Sequence, residues 1–221
     1  MVWPESMRGG PLPSAEIDAS GKVYVVWQDC RFEASCAAND IVMSTSTDGV
    51  SWSAVQLIPI NSTGSGIDHF IPGLAVDSAT SGGAVHLGLT YYFYSSANCT
   101  ADGSGGMPAC QLLVGFVSSS DGGAHWTAPA VLAGPMTVTW LPLTSQGYMV
   151  GDYMSASFAN ATAHPLFAVA QAPTSVEHEA MNMPTSGLAV TASAAANTSA
   201  GVQPVTDASD HAAAPAPITR R

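Results

Sequence analysis

Basic residues are scarce in this chain. Its 221 residues carry five Lys and Arg against sixteen Asp and Glu, a formal net charge of -11. A surface of that sign repels a phosphate backbone or an anionic membrane, so nucleic acid is excluded as a partner. No run of about 18 apolar residues occurs, which excludes a spanning helix. Helical periodicity is absent before the C-terminal region, leaving strands as the organising element. Cysteine is limited to four residues, in two close pairs, Cys30 with Cys36 and Cys99 with Cys110, each bracketing a short polar loop. Local disulfides are the simplest reading and imply an oxidising, extracellular setting, although four cysteines permit three pairings. A zinc site is disfavoured because neither pair has knuckle spacing, and no metal or cofactor is expected. The start "MVWPESMRGGPLPS" lacks a charged region followed by an apolar one, so it does not read as a secretory signal. Export and this start agree if Met1 is an internal position of a longer protein.

What the chain does have is a repeat. "STSTDGVSW", Ser44 to Trp52, follows the apolar run "DIVM", and "SSSDGGAHW", Ser118 to Trp126, follows "CQLLVGFV". Upstream, "LPSAEID" before "GKVYVVW" is matched by "IPGLAVD" before "GAVHLGL"; downstream, "AVQLIPI" is matched by "PAVLAGP". Each unit therefore reads as four short strands rich in Val, Ile, Leu, Tyr and Trp, separated by Gly, Asp, Asn and Ser. A third unit begins at "MVGDYMSASFAN" and runs through "HPLFAVAQAP" without a third such turn. The fold expected is all-β, a partial β-propeller of four-stranded antiparallel blades. Residues 1–11 are expected as an extension and 12–185 as about two and a half blades (12–60, 67–135 and 149–173). Residues 186–221, rich in Ala, Thr, Ser and Pro, are expected as a disordered tail with little to bury.

The turn itself is explained by backbone chemistry. Asp48 and Asp121 can accept backbone N–H bonds, the glycines supply positive φ, and Ser46 and Ser119 add side-chain bonds. Trp52 and Trp126 are expected to fold back over the strands. The pattern Ser-x-Asp-x-Gly-x-x-Trp, met by Ser119, Asp121, Gly123 and Trp126 and, one residue shorter, by Ser46, Asp48, Gly49 and Trp52, resembles the Asp-box, or bacterial neuraminidase repeat, of the sialidase superfamily. "VYVVWQDCRF" and "VGDYMSASF" also look like blade strands of secreted sialidase-like proteins. The resemblance covers about Leu12 to Pro173. It implies a propeller whose repeated turn lies on the outer hairpin, away from the active site, and it is specific for fold rather than activity.

Family sialidases are known for three arginines that clamp a carboxylate, a Tyr–Glu nucleophile and an Asp acid/base. Arginine suits that clamp because its fork is planar and always charged. Here Arg220 and Arg221 end the tail and Arg8 precedes the first strand, leaving Arg31 on the propeller body. The Arg-Ile-Pro motif is missing too; the nearest string is "HFIPG", His69 to Gly73. The chain alone is thus expected not to hydrolyse sialosides but to bind glycans or a protein partner. One alternative is a truncated portion of an exo-α-sialidase or related glycoside hydrolase, and a second is a structural or adhesive surface module. Missing blades would come from a parent chain or from self-association.

Carboxylate pairs of the kind glycosidases use direct attention to Asp29, Arg31, Asp152 and Tyr153 as catalytic candidates, with Asp40 and Asp68 as further carboxylates. Each has a structural reading as an ion pair, turn residue or strand-end acceptor, and that reading is favoured. In "TYYFYSS", alternation sets Tyr92 and Tyr94 opposite Tyr91 and Phe93, so one pair is core and the other is free to stack on a sugar or a partner, with Tyr92 and Tyr94 as the ligand-binding candidates. Strand packing is the favoured role there as well. In "EHEAMNM", His178, Met181 and Met183 suit a soft metal but lack a fixed scaffold. Sequons at Asn61, Asn98, Asn160 and Asn197 carry little weight.

Overall fold

The computed structural model describes residues 7–10, 12–97, 99, 111–174, 178–191 and 202–204. The chain is all-β, built of small antiparallel sheets that stand as propeller-like blades. Blade 1 holds β1 (Ser14–Ile17), β2 (Val23–Asp29), β3 (Asp40–Ser46) and β4 (Gln56–Leu57), hydrogen-bonded in that order. Blade 2 holds β5 (His69–Val76), β6 (Leu87–Tyr94), β7 (Gln111–Ser119) and β8 (Ala130–Thr137), again in sequence order. A hairpin of β9 (Leu143–Thr144) and β10 (Gly147–Tyr148) follows. Blade 3 then runs through β11 (Ser155–Ala159), β12 (Thr162–Gln171), β13 (His178–Pro184) and β15 (Val202–Pro204), with β14 (Leu188–Ala189) also paired to β12. Among the described residues no helix is long and apolar enough to cross a membrane.

Repeated turns set the blade geometry. Asp18 and Asp77 each end a first strand: Asp18 Oδ1 accepts the Ser20 and Lys22 amides, and Asp77 Oδ1 accepts that of Ala79. Between β3 and β4, Ser46 Oγ accepts the Gly49 amide at 2.8 Å and Asp48 Oδ1 accepts those of Val50 and Ser51 at 2.8 and 2.7 Å. Between β7 and β8, Ser119 Oγ accepts the Gly123 amide at 2.9 Å and Asp121 Oδ1 that of His125 at 2.9 Å. Gly49 and Gly123 lie at φ +72° and +92°, the left-handed region the turn requires. Backbone amide bonds hold the carboxyl of Asp48 down at about 2. Burial pushes Asp121 up, but bonds from His125 and Ser119 outweigh it, and this carboxyl also sits at about 2.

The first strands converge. β5 is buried along its whole length and packs against both β1 and β11, which puts blade 2 between its neighbours. The Leu74 amide donates to Ser14 Oγ at 3.0 Å, and a Cβ on Gly73 would lie 2.9 Å from that of Met154, so the missing side chain lets blade 3 approach. One core joins Tyr24, Val26, Ile41 and Met43 of blade 1 to Leu74, Leu87, Leu89 and Val117 of blade 2. A second joins Phe70, Tyr92, Tyr94 and Phe116 of blade 2 to Ala163, Phe167 and Leu188 of blade 3. Burial on this scale dominates the stability of the blade stack.

Three expectations change. Blade 3 is not a half-blade, because residues beyond Pro173 supply β13, β14 and β15. Sheet pairing continues past Ser186, and Leu188 is 3% exposed, so the described part of the expected tail is built into the third sheet. Trp126 does pack on the strands, its Nε1 donating to the Gly123 carbonyl at 3.1 Å, whereas Trp52 stands 47% exposed.

Candidate ligand cleft at the first strands

The chain segments that enter the first strands help to line a concavity. Met7 forms a parallel bridge with Tyr148, and the Arg8 amide donates to the Tyr148 carbonyl at 2.7 Å. This pins the N-terminal segment against the β9–β10 hairpin. Arg8 is thereby aimed at the loop before β11, where its Nη2 meets Asp152 Oδ2 at 3.1 Å and its Nη1 lies 3.3 Å from Met149 Sδ. Gly10 and Leu12, just before β1, join Arg8, Gln146, Asp152 and Tyr153 around a cavity of about 440 Å³. Tyr153 is 71% exposed. The cleft thus offers a guanidinium, a carboxylate, an amide and an open aromatic face within one concavity.

Arg8 was expected before the first strand, and it does precede β1; its pairing with Asp152 was not expected. The signal for it lies 144 residues away in sequence, at Asp152, where no local pattern reaches. Asp152 and Tyr153 lie in the loop that leads into β11 rather than on the strand itself.

The other candidates divide differently. Asp29 ends β2 and is fully engaged: its Oδ2 takes Arg31 Nη2 at 2.7 Å, Arg31 Nε at 2.9 Å and Trp27 Nε1 at 3.0 Å, while Oδ1 takes the Arg31 amide. Burial pushes this carboxyl up, yet the Arg31 and Trp27 bonds outweigh it and leave it below its usual range. Tyr92 and Tyr94, expected as one of two faces that could stack on a sugar, are 1% and 0% exposed, so no ligand reaches them. Tyr92 is a tie instead: its hydroxyl donates to the Ala168 carbonyl and accepts the Ala168 amide, both at 2.9 Å. Tyr91 and Phe93 belong to the opposite core, so both faces of that strand are packing surfaces.

Asp40 and Asp68 belong to a buried polar cluster. Asp68 Oδ1 accepts the Asn39 amide at 2.8 Å and Asn39 Nδ2 at 2.9 Å, and His69 Nδ1 lies 3.2 Å from the Asn39 carbonyl. Burial, then the charges of Glu33, Asp68 and Asp29, push the Asp40 carboxyl up to about 6. Burial also lowers His69 to about 4, which keeps it neutral at pH 7.

His178 lies on β13, so "EHEAMNM" does have a scaffold, but alternation points His178 away from the face of Met181 and Met183. Among the described residues no group of three or more His, Cys, Asp and Glu could hold a metal ion. Cys30 and Cys36 are bonded to each other. Cys99 is also disulfide-bonded, and its expected partner Cys110 lies outside the described residues. Arg220 and Arg221 lie outside them as well.

No family model and no curated protein matches the chain. Solved structures do. A Hadza microbial sialidase is similar at 14% identity over 78% of this chain and 34% of its own, with a TM-score of 0.47. A polysaccharide lyase, the PL25 ulvan lyase, is similar at 13% identity over 78% of this chain and 40% of its own, with a TM-score of 0.41. A Trypanosoma rangeli sialidase mutant displaying trans-sialidase activity is similar at 12% identity over 81% of this chain, with a TM-score of 0.41, and the chain spans 29% of its length.

Proposed function

We propose that this chain is a sialidase-like propeller module that binds glycans outside the cell, through the Arg8 cleft, without hydrolysing them. The observation that carries this is the placement of the Arg8–Asp152 pair beside the open ring of Tyr153 in one cavity. A sugar ring suits such a surface: its C–H face stacks on an exposed aromatic, while its hydroxyls donate to a carboxylate and accept from a guanidinium. Hydrolysis by the usual route needs a second carboxylate across the bond, and the described lining supplies one, already paired with Arg8. The Cys30–Cys36 disulfide fits an oxidising compartment.

The experiment is a glycan array followed by calorimetry on the best binder. Tyr153→Ala is expected to weaken that binder about tenfold, the loss of one stacking contact, with the melting temperature unchanged. An unchanged affinity, or no binder at millimolar concentration, overturns the proposal. Turnover of any bound glycan above a heat-killed control overturns its non-catalytic half.

A further inference from the structure

The charges that line the Arg8 cleft are already matched to each other. Among the described lining residues Arg8 is the one cation and Asp152 the one carboxylate, and they face each other at 3.1 Å. Arg8 Nη1 is taken up as well, 3.3 Å from Met149 Sδ. A sugar carboxylate entering here meets no unpaired cation. It must displace Asp152 from Arg8 or sit beside it, and either arrangement leaves two carboxylates contending for one guanidinium.

The surroundings have the same sign. The Asn39 amide donates to Asp68 Oδ1, and Asp40 stands opposite Asp29 in the β2–β3 ladder, so β5 begins at the end of the stack where β2 stops and β3 starts. β1 begins there too, because it runs antiparallel to β2. Gly10 and Leu12, just before β1, place the cleft at that end. Arg31 is also there, but its Nη2 and Nε are held by Asp29. Against Arg8 and Arg31 stand Asp29, Glu33, Asp40, Asp68 and Asp152. Lys22 lies in the β1–β2 turn at the opposite end, 4.9 Å from the Tyr24 ring.

An uncharged sugar fits where an acidic one does not. A hydroxyl both donates and accepts. Neighbouring hydroxyls of a sugar ring stand about one hydrogen-bond length apart, as do Arg8 Nη2 and Asp152 Oδ2, so one can donate to Asp152 while the next accepts from Arg8. The ion pair stays intact, and the open ring of Tyr153 is left for the C–H face.

We propose that Asp152 makes the cleft selective for uncharged sugars over those that carry a carboxylate. This builds on the assignment of glycan binding to the same cleft. Asp152 works here as a charge filter: it neutralises Arg8 and repels a second carboxylate.

A glycan array on the full chain tests this, each uncharged oligosaccharide being paired with an acidic form, such as lactose with sialyllactose or xylobiose with its glucuronosylated form. Calorimetry follows on the pair that holds the tightest binder. The protein is expected to prefer the uncharged member by about tenfold or more. Asp152→Asn keeps an acceptor and removes the charge, so it is expected to weaken the uncharged member about threefold and strengthen the acidic member about tenfold. A residue that merely held Arg8 in place would, when changed, weaken both members. The unsubstituted protein's preference is read without any variant, so the test survives a poorly folded Asp152→Asn. Equal or tighter binding of the acidic member overturns the selectivity and leaves glycan binding standing. Loss of both members by a folded Asp152→Asn protein overturns the role of Asp152. No binding to any pair overturns glycan binding itself, and this proposal with it.

Discussion

Asp40→Asn should make this protein more stable at neutral pH. Asp40 is 3% exposed, its Oδ2 is without a hydrogen-bond partner, and it stands opposite Asp29 in the β2–β3 ladder. Its carboxyl rises from an ordinary 3.8 to about 6. Below pH 4 the group is protonated in folded and unfolded chains alike and contributes nothing to the pH dependence. Between pH 4 and 6 the unfolded chain releases the proton while the folded chain keeps it, so stability falls as pH rises. Above pH 6 the whole penalty applies. Two pH units at about 1.4 kcal/mol each give about 3 kcal/mol. Asparagine cannot ionise, but its amide must also be desolvated, so the expected gain at pH 7 is about 1 to 3 kcal/mol. Urea denaturation of both proteins at pH 4, 5, 6 and 7 measures it. Subtraction cancels the carboxylates that do not act on Asp40, including Asp48 and Asp121, whose lowered values act in the opposite direction. A difference that does not grow between pH 4 and 7, or an asparagine variant less stable at pH 7, refutes the assignment.

Two further outcomes test the scaffold. Tyr92→Phe removes both bonds to Ala168 and leaves its amide and carbonyl without those partners, so it should cost about 1 to 3 kcal/mol in chemical denaturation; a neutral effect means that water replaces the hydroxyl. Replacing Cys30 and Cys36 together by serine opens a loop with a sequence separation of 6 and should cost about 2 kcal/mol; a loss within error places no stability in that link.

Much of the fold was legible because its signals are local. Ser46, Asp48 and Gly49 meet within four residues, as do Ser119, Asp121 and Gly123 within five, and such spacing writes the turn directly into the sequence. Long-range determinants were not legible. Arg8 reaches its cleft only because Met7 is held by Tyr148, a contact between segments that no pattern links. Residues 178–184 and 188–189 did not read as strands because their side chains are mostly small or polar, yet β12 supplies hydrogen bonds that need no large side chain. Trp52 and Trp126 read as twins, and they differ because only Trp126 has a neighbouring blade over it among the described residues.

The burial of β5 between β1 and β11 also bears on how the sequence can change over time. Among the described residues, blades 1 and 3 each answer to a single neighbour. The middle blade's first strand answers to both, through Leu74 and Val76 in the core shared with blade 1 and Phe70 and Ile71 in the core shared with blade 3, so substitutions along it are constrained by two cores. Drift should concentrate away from β5, where new binding surfaces can arise without disturbing the strand on which both flanks rest.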